Sequence, residues 1–198
     1  MLCRSAIAVT VSLAIFGCGG SPTAPSDSSS SSSSTTPGTL NVRITDSPYG
    51  SAKAVLVTFS EVMAYRDSNG TRMPFADGST STWTCDLKKL QNGAQDLLAS
   101  GRPNTGTYTM VKVVVQSAKI FFDNSAVSAT PCARSIPEPA GASFPLALAA
   151  REVSLNGSFG LNSNAPTTIL IDFDGESSIR QNGSTYTMDP VLRVVSVQ

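Results

Sequence analysis

Two long stretches, 54–66 and 107–123, alternate apolar and polar residues with the period of two that marks a pleated strand, and each changes phase once. In the first, Val55, Val57 and Phe59 share one parity, whereas Val62 and Ala64 take the other. In the second, Val111, Val113 and Val115 give way to Ala118, Ile120 and Phe122. In a regular strand, a one-residue slip would turn every later side chain to the wrong face. A β-bulge absorbs the extra residue and bends the strand, so both stretches predict long, bent strands wrapped around one core.

The remaining pattern agrees with sheet. Leu40, Val42 and Ile44 alternate with Asn41, Arg43 and Thr45, which predicts a half-buried strand ending in an Asp46-Ser47-Pro48 turn. Further strands are expected over 152–161, 167–173, 177–181 and 185–197, with turns at Asn156-Gly157, Asp174-Gly175 and Asn182-Gly183. One stretch breaks the alternation. Asp86 reads as the N-cap of a short helix with Leu87 and Leu90 on one face and Asn92-Gly93 at its end, and Leu97 and Leu98 fall in a second turn or short helix. The sum is an all-β domain: a two-sheet antiparallel β-sandwich with one short helical insert.

The first 38 residues do not fit that domain. Residues 1–17 read as an export signal, with Arg4 as its positive start and an 11-residue, largely apolar run from Ala6 to Phe16. That run falls well short of the ~20 residues a spanning helix needs. It ends in Ile15-Phe16-Gly17-Cys18, which resembles a bacterial lipobox. The resemblance implies cleavage after Gly17, transfer of lipid to the Cys18 thiol and acylation of the new amino group. Residues 18–38 then form a serine-rich, disordered tether containing Ser28 to Ser34, with no side chain able to build a core. A flexible coil of this kind reaches roughly 25 Å. Residues 39–198 form a single domain. The expected address is the cell envelope, membrane-anchored through Cys18, with Gly19 in place of aspartate implying the outer membrane, periplasmic or surface-exposed.

Composition removes several chemistries. The formal net charge is zero and only 14% of residues are charged, so no basic stripe is present to neutralise phosphates and nucleic acid is not an expected partner. There is no histidine, which excludes His-dependent triads and His-bearing zinc sites. Cys85 and Cys132 remain in the mature domain besides the anchor. In an oxidising compartment they predict a disulfide, with two unpaired thiols as the alternative. Asp172 and Asp174 sit two apart and therefore share a sheet face, and Asp46 ends the first strand. If these strands are neighbours, the three carboxylates could hold Ca²⁺; a solvated turn or the capping of backbone N–H groups is the structural alternative. The stretch Asn124 to Pro145, with Pro131, Pro137 and Pro139, reads as a binding loop or as an insertion pinned by Cys132. Trp83 and Tyr49 are candidates for sugar stacking or for core and edge packing.

A set of short motifs recurs in order across 38–196. It comprises Gly38-Thr39-Leu40 running to Thr45-Asp46-Ser47-Pro48, Asp86-Leu87 with Leu90-Gln91-Asn92-Gly93, and Gly106-Thr107-Tyr108-Thr109. Asp172-Phe173-Asp174 and Pro190-Val191-Leu192-Arg193-Val194 complete it. As a set they resemble the bacterial and archaeal family called domain of unknown function 4382, whose usual context is similar to envelope lipoproteins. The Gly-Thr-Tyr strand entry also resembles transthyretin-like sandwich modules, which implies a transthyretin/Ig-like Greek key. Cys85, Cys132 and the proline-rich stretch lie outside the motifs that carry the resemblance. The function expected from all this is a non-enzymatic binding or adhesion module for a glycan or protein ligand. The alternatives are an envelope hydrolase with a Ser or Asp centre and a structural subunit of a surface assembly.

Overall fold

The computed structural model describes residues 36–47 and 49–198; the expected signal segment, Cys18, most of the tether and Pro48 lie outside the described residues. The described chain is built almost entirely of strands. The first half contains β1 (Leu40–Ser47), β2 (Ala54–Arg66), β3 (Asn69–Met73), β4 (Trp83–Asp86), β5 (Asp96–Gly101) and β6 (Gly106–Phe121). Then follow β7 (Cys132–Ala133), β8 (Ser143–Leu148), β9 (Glu152–Leu161), β10 (Thr167–Asp174), β11 (Ile179–Asn182), β12 (Thr185–Met188) and β13 (Leu192–Val197). Two sheets pack together. The smaller has the order β13-β10-β1-β5; the larger runs β11-β12-β8-β6-β2-β4-β7, with β3 added to β2 and β9 to β6.

The two phase-switching stretches form the central pair of the larger sheet. β2 and β6 run antiparallel, and their register shifts around Phe59, where Thr58 faces Ser117 but Phe59 already faces Val115. That is the bulge the sequence predicts, and it keeps Val57, Phe59 and Val62 all in the core. Phe59 meets Phe173 of β10 edge-on at 6.4 Å, which ties the two sheets together. Burying one such ring contributes about 1.5–3 kcal/mol.

The smaller sheet departs from an all-antiparallel arrangement. β1 and β10 are parallel, with Val42 opposite Ile169, Ile44 opposite Ile171 and Asp46 opposite Phe173. β8 and β12 are also parallel. The two-sheet β-sandwich is therefore a mixed one, because a long excursion through the larger sheet separates β1 from β10 and returns the chain in the same direction.

Other local differences have identifiable causes. The expected 185–197 strand is two strands, β12 and β13, in different sheets. Pro190 sits between them, and without an N–H it cannot continue a ladder. Leu97 and Leu98 lie in β5, not in a helical turn, because β5 pairs with β1. Asn156-Gly157 is no turn; it sits inside β9 at a register shift against β6. The short helical insert is present as a 3₁₀ turn, Leu87–Lys89, with the Asp86 side chain accepting from the Lys88 N–H. Asp174 similarly caps a four-residue helix, α1 (Gly175–Ser178), where the sequence predicts a simple turn. The Asn182-Gly183 hairpin forms as predicted, with Gly183 at φ +61°.

Candidate functional site

Asp46, Asp172 and Asp174 do reach one end of the smaller sheet, but not one face. Parallel, in-register pairing sets Thr45 beside Asp172 and Ser47 beside Asp174. Strand alternation then gives Asp46 the inward parity of Leu40, Val42 and Ile44, while Asp172 and Asp174 take the outward parity of Leu170. On the outer face, Arg193 of β13 lies directly across from Asp172. Its guanidinium is 2.6 Å from Asp172 Oδ2 and 3.7 Å from Asp174 Oδ2, and the Ser47 hydroxyl donates to Asp172 at 3.1 Å. Asp174 Oδ1 accepts from the Ser177 N–H at 2.8 Å, as a helix cap.

Asp46 is a different kind of group. Its Oδ1 accepts the Gly175 N–H at 3.3 Å, and its Oδ2 is buried without a partner among the described residues. Burial pushes the Asp46 carboxyl up to about 8; the Gly175 hydrogen bond opposes this, Asp172 adds to it, Lys88 opposes it and Asp174 adds to it. A side chain on Gly175 would press on this contact, since a Cβ there would come 3.1 Å from Asp46 Oδ1. The geometry corrects the calcium reading. Asp46 is turned away from the other two carboxylates, and Arg193 already supplies their counter-charge. Among the described residues no group of three or more acidic or cysteine side chains is arranged to hold a metal ion.

The cysteine pair is a disulfide. Cys85 on β4 and Cys132 on β7 stand directly opposite in the ladder, with S–S 2.11 Å and Cα atoms 4.0 Å apart. The bond fastens the proline-rich stretch to β4, as expected of an insertion pinned by Cys132. The Cys132 N–H donates to Asp96 Oδ2 at 3.0 Å, and the Asp86 N–H donates to the Pro131 carbonyl at 2.8 Å. Ala126 and Ile136 pack on Ala54, Leu56 and Phe121, the outward apolar residues of β2 and β6. The stretch thus lies across the outside of the larger sheet.

A groove of about 210 Å³ remains between that stretch and the sheet. Its floor carries hydroxyls from Thr58, Thr84 and Ser117. The Thr58 and Thr84 hydroxyls, on adjacent strands, are 3.0 Å apart. Lys119, Arg134 and Glu138 form the rim. Both rim cations are paired, Lys119 with Glu138 at 2.6 Å and Arg134 with Asp77 at 2.6 Å. Ser79 and then Arg134 hold the Asp77 carboxyl down at about 2. The groove is therefore polar, hydroxyl-lined and close to electrically neutral.

Both aromatic candidates take the packing role and not the sugar-stacking one. Trp83 is buried, stacked on Phe75 at 6.4 Å, and Tyr49 packs against the core while its carbonyl accepts from Lys88 Nζ at 3.1 Å. A cluster the sequence did not single out is formed by Phe122, Phe144 and Tyr186, with centroids 5.3–5.9 Å apart and every ring half-buried.

A family model described as "Domain of unknown function (DUF4382)" matches residues 37–190. The chain belongs to that family. The match takes in β1 to β12 and stops short of β13, so the disulfide, the groove and the carboxylates of β1 and β10 all fall inside the DUF4382 domain, whereas Arg193 falls outside it. No curated protein and no solved structure matches the chain.

Proposed function

We propose that the chain is an envelope lipoprotein, acylated at Cys18, that displays its DUF4382 sandwich as a non-catalytic binding module for a glycan or protein partner, with the outer membrane as its site. The observation that carries this reading is the order of segments: an apolar run too short to span a bilayer, a cysteine in a lipobox-like setting, a serine tether and then one sandwich. The hydroxyl-lined groove supports the ligand side of it. Its paired rim charges favour a neutral, hydroxyl-rich ligand over an ion. A hydrolase with a Ser or Asp centre has less in its favour, because no histidine is available as base and Asp46 and Asp86 are buried.

The test has two arms. Cys18→Ser should release the protein from membranes or leave it unprocessed. Purified chain probed against neutral envelope polysaccharides should bind, and Thr84→Val with Thr58→Val should remove binding while leaving the melting temperature within a few degrees. Unchanged membrane partition in the first arm, or unchanged binding by the folded double variant in the second, would contradict the proposal.

One observation favours a second reading, a structural subunit. β13 is an edge strand, with Val194, Val195 and Val197 at 38%, 54% and 46% exposure. An apolar edge of this kind pairs readily with another strand. Val195→Lys should then lower any self-association seen by sedimentation.

A further inference from the structure

The chain has five lysines, and two of them are neutralised: Lys112 by Glu152 at 3.4 Å and Lys119 by Glu138 at 2.6 Å. The other three, Lys53, Lys88 and Lys89, line one open cleft of about 430 Å³, and among the described residues none of them forms an ion pair. The sequence hides this cluster, because Lys53 precedes β2 and the other two lie in the 3₁₀ turn more than thirty residues later. The fold joins them through Asp86, whose Oδ1 accepts both the Val55 N–H and the Lys88 N–H at 3.2 Å.

Asp86 does not cancel the lysines as a surface carboxylate would. It is 1% exposed, its charge is directed at backbone N–H groups, and burial pushes its carboxyl above the ordinary range. Two other acids stand near. Glu176 accepts the Gly50 N–H at 3.1 Å at the rim, and Asp46 lies buried beyond Lys88. Lys88 Nζ donates to the Tyr49 carbonyl at 3.1 Å and Lys89 Nζ donates to the Ser128 carbonyl. Each bond uses one ammonium proton and positions the rest.

We propose that this cleft binds the oxyanion groups of an anionic polysaccharide. Three ammonium groups that form no ion pair among the described residues attract sulfate, phosphate or carboxylate, while Gln91 and Ser125 beside them suit sugar hydroxyls. Ala52 is the only apolar side chain in the lining, so the cleft offers nothing to an acyl chain, and a lipid headgroup is the poorer fit. The site is separate from the hydroxyl-lined groove and does not depend on acylation at Cys18.

The probe is dextran sulfate, titrated against the full chain in detergent, with unsubstituted dextran and phosphatidylglycerol vesicles as the other arms. Dextran sulfate should bind, and binding should weaken as salt is raised. Lys53→Gln and Lys88→Gln should each weaken it about three- to tenfold, from the loss of one exposed charge contact. Lys112→Gln should change nothing, and Lys53→Arg should retain affinity. Lys53 is exposed and has no side-chain hydrogen bond among the described residues, so its replacement tests the site even if Lys88→Gln disturbs the turn. Equal weakening by Lys112→Gln, equal binding of unsubstituted dextran, or binding to the vesicles without binding to dextran sulfate would each overturn the proposal.

Discussion

Replacing Asp46 by asparagine should flatten the dependence of stability on pH. The Asp46 carboxyl has an ordinary value of 3.8 when the chain is unfolded and is pushed up to about 8 by burial in the fold. Below 3.8 both states are protonated and the group costs nothing. Between 3.8 and about 8 the unfolded chain gives up a proton that the folded chain keeps, so stability falls with rising pH by about 1.4 kcal/mol per unit. Above about 8 the loss levels off, at a total of about 6 kcal/mol. Asp86 pushes in the same direction, so the variant keeps a smaller slope of the same sign. Asp77 has the opposite sign and acts only at lower pH: its lowered value, about 2, makes stability fall as pH drops from 3.8 towards 2. The asparagine side chain would retain the bond from the Gly175 N–H but place an amide donor where Oδ2 has no partner, at a cost of about 1–3 kcal/mol. Urea unfolding of Asp46→Asn and the parent from about pH 4.5 to about pH 8.5, which covers most of the window of this titration and its upper end, should therefore show the variant less stable at the acid end and as stable or more stable at the alkaline end. Two parallel profiles would refute the reasoning.

Three further outcomes follow from the same structure. Cys85→Ser with Cys132→Ser should cost about 4 kcal/mol, the chain-entropy value for a loop of about 48 residues, read as a lower urea midpoint. No change in the midpoint would mean that the ladder and the apolar cluster alone hold the proline-rich stretch. Arg193→Ala should cost about 1 kcal/mol by exposing Asp172 and Asp174 to each other, and millimolar Ca²⁺ should leave the melting temperature of the parent chain unchanged. A calcium-dependent rise in the parent would restore the metal reading.

Periodicity revealed the elements whose signal is local. The phase slips at Phe59 and between Val115 and Ala118 are bulges because β2 and β6 pair with each other along both stretches, and the ladder between them must absorb the extra residues. The Asp86 cap was legible because a side chain and an N–H two residues away suffice to make it. What stayed hidden depends on which distant strands are neighbours. Nothing in the alternation of 40–47 or 167–174 tells that they run parallel, yet that pairing sets Ser47 beside Asp174, and on the other side of β10 the pairing with β13 sets Arg193 opposite Asp172. The inward parity of Asp46 follows from Ile44 two residues earlier, but the turn signal of Asp46-Ser47-Pro48 points the other way. Pro145 obscured β8, since proline usually argues against a strand. The groove and the lysine cleft draw on segments tens of residues apart and have no local signature.

The proposal that this DUF4382 sandwich is carried on a lipid anchor is tested most directly by the intact mass of the protein extracted from cell envelopes. Acylation at Cys18 predicts a mature chain beginning at that residue, heavier than the polypeptide by its acyl groups, with that added mass absent from Cys18→Ser. A chain that begins elsewhere, or that begins at Cys18 with the mass of unmodified polypeptide, would contradict it.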